Sequence, residues 1–211
     1  MYEYLIFDLD GTISDPKEGI VKSLNHALAA NGYKTKEPQE IEKYIGPPLD
    51  YAFEKLTNIK NRNEIGKLVK SYRERYAEVG YSENVLYKGM VPVLESLARN
   101  RSVIIGVCTS KRKDFAEKIL ELFHIRHLFK FVDGGDIGIQ KWQQIEGLLG
   151  DGFISKNSVM IGDRSVDLVA AHKNGISSAG VLWGYGSRSE LSTEKPMHIF
   201  STPQQLVELV A

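Results

Sequence analysis

Short apolar runs alternate with helix-period stretches along most of this chain, and that alternation restricts the fold more than any other feature. The runs are Tyr4–Phe7, Ser102–Cys108, Phe129–Val132, Ser158–Ile161 and Ser178–Leu182. They are apolar at consecutive positions rather than at every second one, which is how strands covered on both faces read. Helical periodicity marks Val91–Arg99, Asp114–Phe123, Trp142–Leu149, Ser165–Asn174 and Pro203–Leu209. Strand and helix in turn specify an α/β fold, a doubly wound, Rossmann-like parallel sheet with helices on both sides.

One region breaks the rhythm. Between Pro16 and Val85 only helical patterns occur. Leu24, Leu28 and Tyr33 punctuate one, and Ile65, Leu68, Val69, Tyr72 and Tyr76 mark another. An all-α cap domain over residues 16–85 is therefore expected, inserted after the first strand of a core made of 1–15 and 86–211. A chain of 211 residues is long enough for that division. The expected hinges are Ser14–Pro16 and Tyr87–Gly89, where Pro or Gly stands at the boundary.

Composition excludes several classes. Formal net charge is +0, so no global field gathers nucleic acid or an acidic membrane surface. No apolar run approaches the ~20 residues of a membrane span. Met-Tyr-Glu-Tyr leads straight into a strand pattern without a basic segment and an apolar one, so no secretion signal is expected. The single cysteine, Cys108, allows no internal disulfide and fits a reducing cytoplasm. A monomer or weak homodimer is the expected state.

Three of the strands end in polar residues. The first, in "YLIFDLDGTISD", runs into Asp8 and Asp10, the second into Thr109 and Ser110, and a later one into Gly162 and Asp163. Ligands of open α/β sheets bind beyond the carboxyl ends of the strands, so these residues should converge. Asp163 suits the N-cap of the next helix, and Asp167 its first turn facing the same crevice. Two unit charges ~4 Å apart cost about 4 kcal/mol at an effective dielectric near 20. A cation removes that cost, and hard oxygen donors without paired Cys or His select Mg²⁺ rather than zinc.

Other residues at this pole suit a phosphate. Gly11 and Thr12 can offer backbone N–H groups in a tight turn. Thr109 and Ser110 add hydroxyl and backbone donors, and Lys141, opening a helix, adds a point charge. A carboxylate can then serve as nucleophile toward phosphorus. Rival chemistries lack their parts. Position 114, six after Cys108, is Asp where a cysteine phosphatase needs Arg, so Cys108 reads as a buried strand residue. No G-x-x-x-x-G-K-[ST] loop or G-x-S-x-G elbow is present.

"DLDGT", Thr109-Ser110, Lys141 and "GDRSVD" resemble, in order, the four motifs of the haloacid-dehalogenase-like superfamily, and the resemblance covers nearly the whole chain. It implies Asp8 as nucleophile and Asp10 as general acid and base. It also implies Mg²⁺ held by Asp8, Asp10 (through its carbonyl) and Asp163, with Asp167 close behind, and a phosphoryl group held by Thr109 and Lys141. The superfamily's dehalogenases lack the second Asp, so Asp10 favours phosphotransfer. "IGPPL", "TSK" and "LWGYGS" look most like phosphoglycolate phosphatases and their relatives. The implied activity is hydrolysis of a small phosphomonoester, with a sugar-phosphate mutase or a nucleoside monophosphate 5'-nucleotidase as alternatives. One departure concerns Lys141, which is followed by Trp142 where the family often has Pro; Lys130 and Lys156 are less well placed.

Three residues carry weaker expectations as substrate contacts. Gly46 lies in Ile45–Leu49, read as a cap loop over the substrate or as a plain Pro-rich turn. Arg164 reads equally as a substrate contact or a surface residue at a helix start. Lys111 faces either the site or solvent.

Overall fold

The computed structural model describes residues 1–210. In chain order its elements are β1 (Tyr4–Phe7), β2 (Ser14–Asp15), α1 (Lys17–Ala30), α2 (Pro38–Glu42), α3 (Leu49–Thr57), α4 (Arg62–Glu78) and β3 (Val85–Leu86). There follow α5 (Met90–Arg99), β4 (Ile104–Thr109), α6 (Lys113–Leu122), β5 (Val132–Gly134), α7 (Lys141–Gly150) and β6 (Ser158–Gly162). The last are α8 (Ser165–Lys173), β7 (Ser177–Val181), α9 (Arg188–Thr193), β8 (His198–Phe200) and a 3₁₀ segment, Pro203–Val210.

Six strands form one parallel sheet in the order β5-β4-β1-β6-β7-β8. Strand β1 lies between β4 and β6, with Phe7 opposite both Val107 and Ile161. The chain winds outward from β1 in both directions, so its carboxyl end is the switch point where α/β folds place ligands. The consecutive apolar residues of β1 serve both faces. Leu5 and Phe7 pack with Met90, Leu94 and Ile119 under α5 and α6. Ile6 packs with Met160, Ile145 and Ala171 under α7 and α8.

The helical insertion has a core of its own, in which α1 contributes Ile20, Leu24 and Leu28, and α4 contributes Ile65, Leu68, Tyr72 and Tyr76. These are the positions the helical period selects. Asn61 starts α4 by accepting hydrogen bonds from the backbone of Asn63 at 2.9 Å and Glu64 at 3.3 Å. Phe115 of α6 joins the same cluster from the sheet side. At the two crossings, where hinges are expected, β2 and β3 pair antiparallel, Ser14 with Leu86 and Asp15 with Val85. Gly89, in the left-handed region at φ 86°, turns the returning chain into α5.

Several expected elements shift. The second strand starts at Ile104 because Ser102 and Val103 are spent in a turn on Asn100, Ser102 N donating to Oδ1 and Val103 N to the carbonyl. The third runs to Gly134, pairing Asp133 and Gly134 with Cys108 and Thr109, polar positions an apolar pattern does not include. The closing segment is 3₁₀ rather than α-helical. Helix α9 and strand β8 are short and were not anticipated.

Leu94, fully buried in the larger sheet-side core, tests this packing. Leu94→Ala should lower stability by about 2–5 kcal/mol in urea denaturation; a loss below about 1 kcal/mol would show that the α5 face is not packed as described.

Candidate active site

The acidic residues meet beyond β1 and β6. Carboxylate oxygens of Asp8, Asp163 and Asp167 lie within 4.8 Å of one another, all buried. Neighbouring strands bring them close, since Asp8 and Asp163 each directly follow the last residue of one of two adjacent parallel strands, with Asp8 level with Gly162. Asp167 is carried in by the first turn of α8, where it accepts a hydrogen bond from Arg164 N at 3.1 Å. Residue 164, not Asp163, is thus the N-cap of that helix.

Small residues make this closeness possible. A Cβ on Gly162 would meet Asp167 Oδ2 at 2.2 Å, and one on Gly11, at φ 85°, would meet Asp163 Oδ2 at 2.2 Å. The later loop Gly184–Gly186 closes the far side. A Cβ on Gly184 would lie 2.2 Å from the Gly11 carbonyl, and one on Gly186 1.8 Å from the Asp163 carbonyl. Tyr185 N donates to Asp163 Oδ2 at 2.8 Å, and Trp183 Nε1 donates to the Thr12 carbonyl at 2.9 Å.

Two lysines compensate the carboxylates. Lys141 Nζ, 2.9 Å from Asp8 Oδ1, donates to Asp167 Oδ1, with all three side chains buried. Burial works against the Lys141 charge, but Asp167 and Asp8 outweigh it and hold the ammonium firmly protonated. Lys111 Nζ lies 2.8 Å from Asp10 Oδ2, and it donates to the Tyr76 hydroxyl of α4 at 2.8 Å. Burial pushes the Asp10 carboxyl up, against the pull of Lys111. Asp163 is driven well above the usual carboxylate range by burial and then by Asp167 and Asp8.

Four carboxylates thus face two ammonium groups. Asp10 Oδ1 is buried with no hydrogen bond, and Asp8 Oδ1 has the charge of Lys141 at 2.9 Å but no hydrogen bond of good geometry. The buried oxygens of Asp8, Asp163 and Asp167 form the donor set of a hard divalent cation, and the excess negative charge matches one. The Asp10 carboxylate is not part of this cluster and turns toward Lys111.

The remaining expected residues divide. Thr12 is fully buried and its hydroxyl donates to Asp163 Oδ1 at 3.4 Å. Thr109 is buried beside them at the end of β4; its hydroxyl accepts from Lys111 N at 3.2 Å and its carbonyl from Gln144 Nε2 at 3.1 Å. Ser110, Lys111 and Gly46 line the cleft between the helical insertion and the sheet, together with Asp10. Arg164 bridges the two parts. Its guanidinium donates to the Ile45 carbonyl at 2.7 Å, while Nε donates to Glu190 Oε1 at 3.0 Å. Gly46, at φ 104°, packs against it; an added Cβ would lie 3.2 Å from Arg164 Cγ. The sequence did not single out Tyr76, Gln144, Tyr185 or Glu190 for the site. Only the glycines around Tyr185 could have flagged a tight approach.

A parallel sheet with clustered carboxylates at its switch point, roofed by an inserted helical layer, defines the class: an α/β enzyme core built for an anionic substrate and a cation. The chain belongs to the haloacid dehalogenase-like hydrolase family, whose model matches residues 5–181. It is 36% identical over 201 residues to a 5'-nucleotidase of Pseudomonas aeruginosa, covering 93% of this chain and 90% of that protein. It is 28% identical over 210 residues to a phosphoglycolate phosphatase of Aquifex aeolicus, covering 98% and 95%. A crystal structure described as a predicted phosphatase from Clostridium acetobutylicum superposes with TM-score 0.92 at 31% identity, covering 100% of this chain and 98% of that one. No helix among the described residues is long and apolar enough to cross a membrane.

The raised carboxyls fix a pH dependence. A native pKa above the unfolded one means the native state holds protons the unfolded state has lost, so stability falls as pH rises through that window. In chelator, the melting temperature should fall between the ordinary Asp range, about 4, and about 6, where Asp167 titrates. Asp163→Asn should flatten that slope, as should a saturating divalent cation. An unchanged slope in the variant would place the pH dependence elsewhere.

Proposed function

We propose that the protein is a Mg²⁺-dependent phosphomonoesterase that works through an aspartyl-phosphate on Asp8. The observation that carries this reading is the pair of carboxylates ending the central strand, Asp8 beside Lys141 and Asp10 beside Lys111. Asp8 is the group placed for attack, and burial raises the Asp10 carboxyl, which suits it to proton transfer.

In this reading an Asp8 oxygen attacks phosphorus and the bond to the ester oxygen breaks. Asp10 delivers its proton to that leaving oxygen, and the alcohol departs. Asp10, now ionised, takes a proton from a water molecule as the water attacks the phosphoryl group. The bond to Asp8 breaks, phosphate leaves, and both carboxyls return to their starting states. Lys141, Thr109 and Ser110, with the Gly11–Thr12 turn, hold the phosphoryl oxygens. Mg²⁺, held by Asp8, the Asp10 carbonyl and Asp163 with Asp167 behind them, would supply charge neutralisation between two anions. Residues 16–85 act as a cap that closes over the bound ester and excludes bulk water. The protein acts on small molecules in the cytoplasm as a monomer or weak homodimer. Glycolate and nucleoside esters both fall within this reading, since relatives carry both names.

Asp8→Asn should lower phosphate release by several orders of magnitude in a malachite green assay with Mg²⁺ while leaving the circular dichroism spectrum intact. EDTA should silence the wild type. Retained turnover in the variant would remove Asp8 from the chemistry.

Arg164 supports the closed cap through the Ile45 carbonyl. Losing a charged hydrogen bond on the closed state should raise KM by about 3–10-fold, with a smaller fall in kcat. Arg164→Ala should show that split in steady-state kinetics and Arg164→Lys should recover part of it; equal loss in both constants would assign Arg164 to the chemical step.

A further inference from the structure

The cleft above Asp10 has walls of unequal chemistry. Its cap side is made by Ile20, Leu24, Tyr44, Leu49, Ala52 and Tyr72. None of these carries a charge. The Pro47–Pro48 pair beside Leu49 offers no backbone N–H, so the loop that roofs the cleft has fewer donors than its length suggests.

Cations do reach this cleft, three of them among the described residues: Arg73, Lys111 and Arg112. Each is already engaged. Arg73 Nη2 of α4 lies 2.6 Å from Asp136 Oδ1, across the mouth. Arg112 Nε donates to Asp114 Oδ1 at 2.6 Å and its guanidinium lies over the Phe115 ring. Lys111 is shared between Asp10 Oδ2 and the Tyr76 hydroxyl, both at 2.8 Å. A second anion on the substrate, beyond the phosphoryl group, would therefore meet Asp10 and Asp136 with no free cation. It would have to compete for a cation already paired, with Asp10 for the buried Lys111 or with Asp136 and Asp114 for Arg73 and Arg112, whose pairs stand partly in solvent. An uncharged alcohol meets no such cost and gains apolar contact with the cap wall.

Resting on the phosphomonoesterase reading, we infer that the cleft selects phosphomonoesters whose leaving group is an uncharged alcohol with an apolar body, and disfavours those bearing a second anion. Glycolate and a second phosphate fall on the disfavoured side; a nucleoside falls on the favoured side. The same charge pattern disfavours the bisphosphate that a sugar-phosphate mutase must hold.

Two comparisons test the inference. Phosphoglycolate and 2-hydroxyethyl phosphate differ only in a carboxylate against a hydroxymethyl group, and a nucleoside 5'-monophosphate and benzyl phosphate extend the neutral series. With Mg²⁺, kcat/KM for each neutral ester should exceed that for phosphoglycolate at least ~10-fold. Leu49→Lys, which places a free cation on the cap wall, should move the ratio toward phosphoglycolate by a similar factor. Wild-type preference for phosphoglycolate would overturn the inference. So would an unchanged ratio in a Leu49→Lys protein whose melting curve matches the wild type. If no ester in the set releases phosphate, the phosphomonoesterase reading itself fails and this one with it, a result separable from a mere change of rank.

Discussion

The structure turns on Lys141 lying between Asp8 and Asp167. A central strand whose carboxyl end carries buried like charges is unfavourable by itself, by about 4 kcal/mol for each close pair at an effective dielectric near 20. One fully buried ammonium spans two of those charges, and Lys111 does the same service for Asp10. The sheet order supports the arrangement. With β1 flanked by β4 and β6 and Phe7 opposite Val107 and Ile161, Asp8 comes level with Cys108 and Gly162, one residue before Thr109 and Asp163, so all three polar residues gather at the same end of the sheet. Glycines at 11, 162, 184 and 186 then let backbone and carboxylate approach at distances no side chain would allow.

The helical insertion is joined to the sheet in a different manner. Three polar ties span the cleft: Arg164 to the Ile45 carbonyl, Arg73 to Asp136 and Lys111 to the Tyr76 hydroxyl. The Arg73 tie is exposed and the Arg164 tie half-buried, so each can exchange its partner for water at modest cost, whereas the Lys111 and Tyr76 side chains are buried and part only when the cleft opens. Phe115, inserted into the cap cluster from α6, adds apolar contact to the same face. An interface of that kind is compatible with the opening and closing proposed above for residues 16–85.

Much of this was legible in the residues, and the limits have physical causes. The apolar runs and the 3.6-residue spacing of Leu24, Leu28, Leu68 and Tyr72 report burial directly, so the sheet and the insertion could be read. Strand β8 and helix α9 are too short to show a period, and β5 runs through Asp133 and Gly134, where ladder pairing rather than hydropathy decides. At the site, Asp8, Asp10 and Asp163 stand out because carboxylates directly after apolar strands demand a reason. Lys141 does not follow the usual pattern, and only its 2.9 Å distance to Asp8 sets it there. Arg164 allowed two readings; the fold ties its guanidinium to backbone carbonyls of the insertion and to Glu190. Tyr185 acts through its backbone N–H, which no side-chain pattern announces.

The position of β1 has a consequence for the order in which the molecule can assemble. Its partners lie about a hundred residues later, in β4, and about a hundred and fifty later, in β6. A ribosome releases Asp8 early, yet no strand that pairs with β1 exists until β4 has emerged, and the ammonium beside Asp8 arrives only with Lys141. The helical insertion, with its own core, is complete long before. During synthesis the apolar positions of the insertion's own cluster are therefore all present while β1 still lacks its partners.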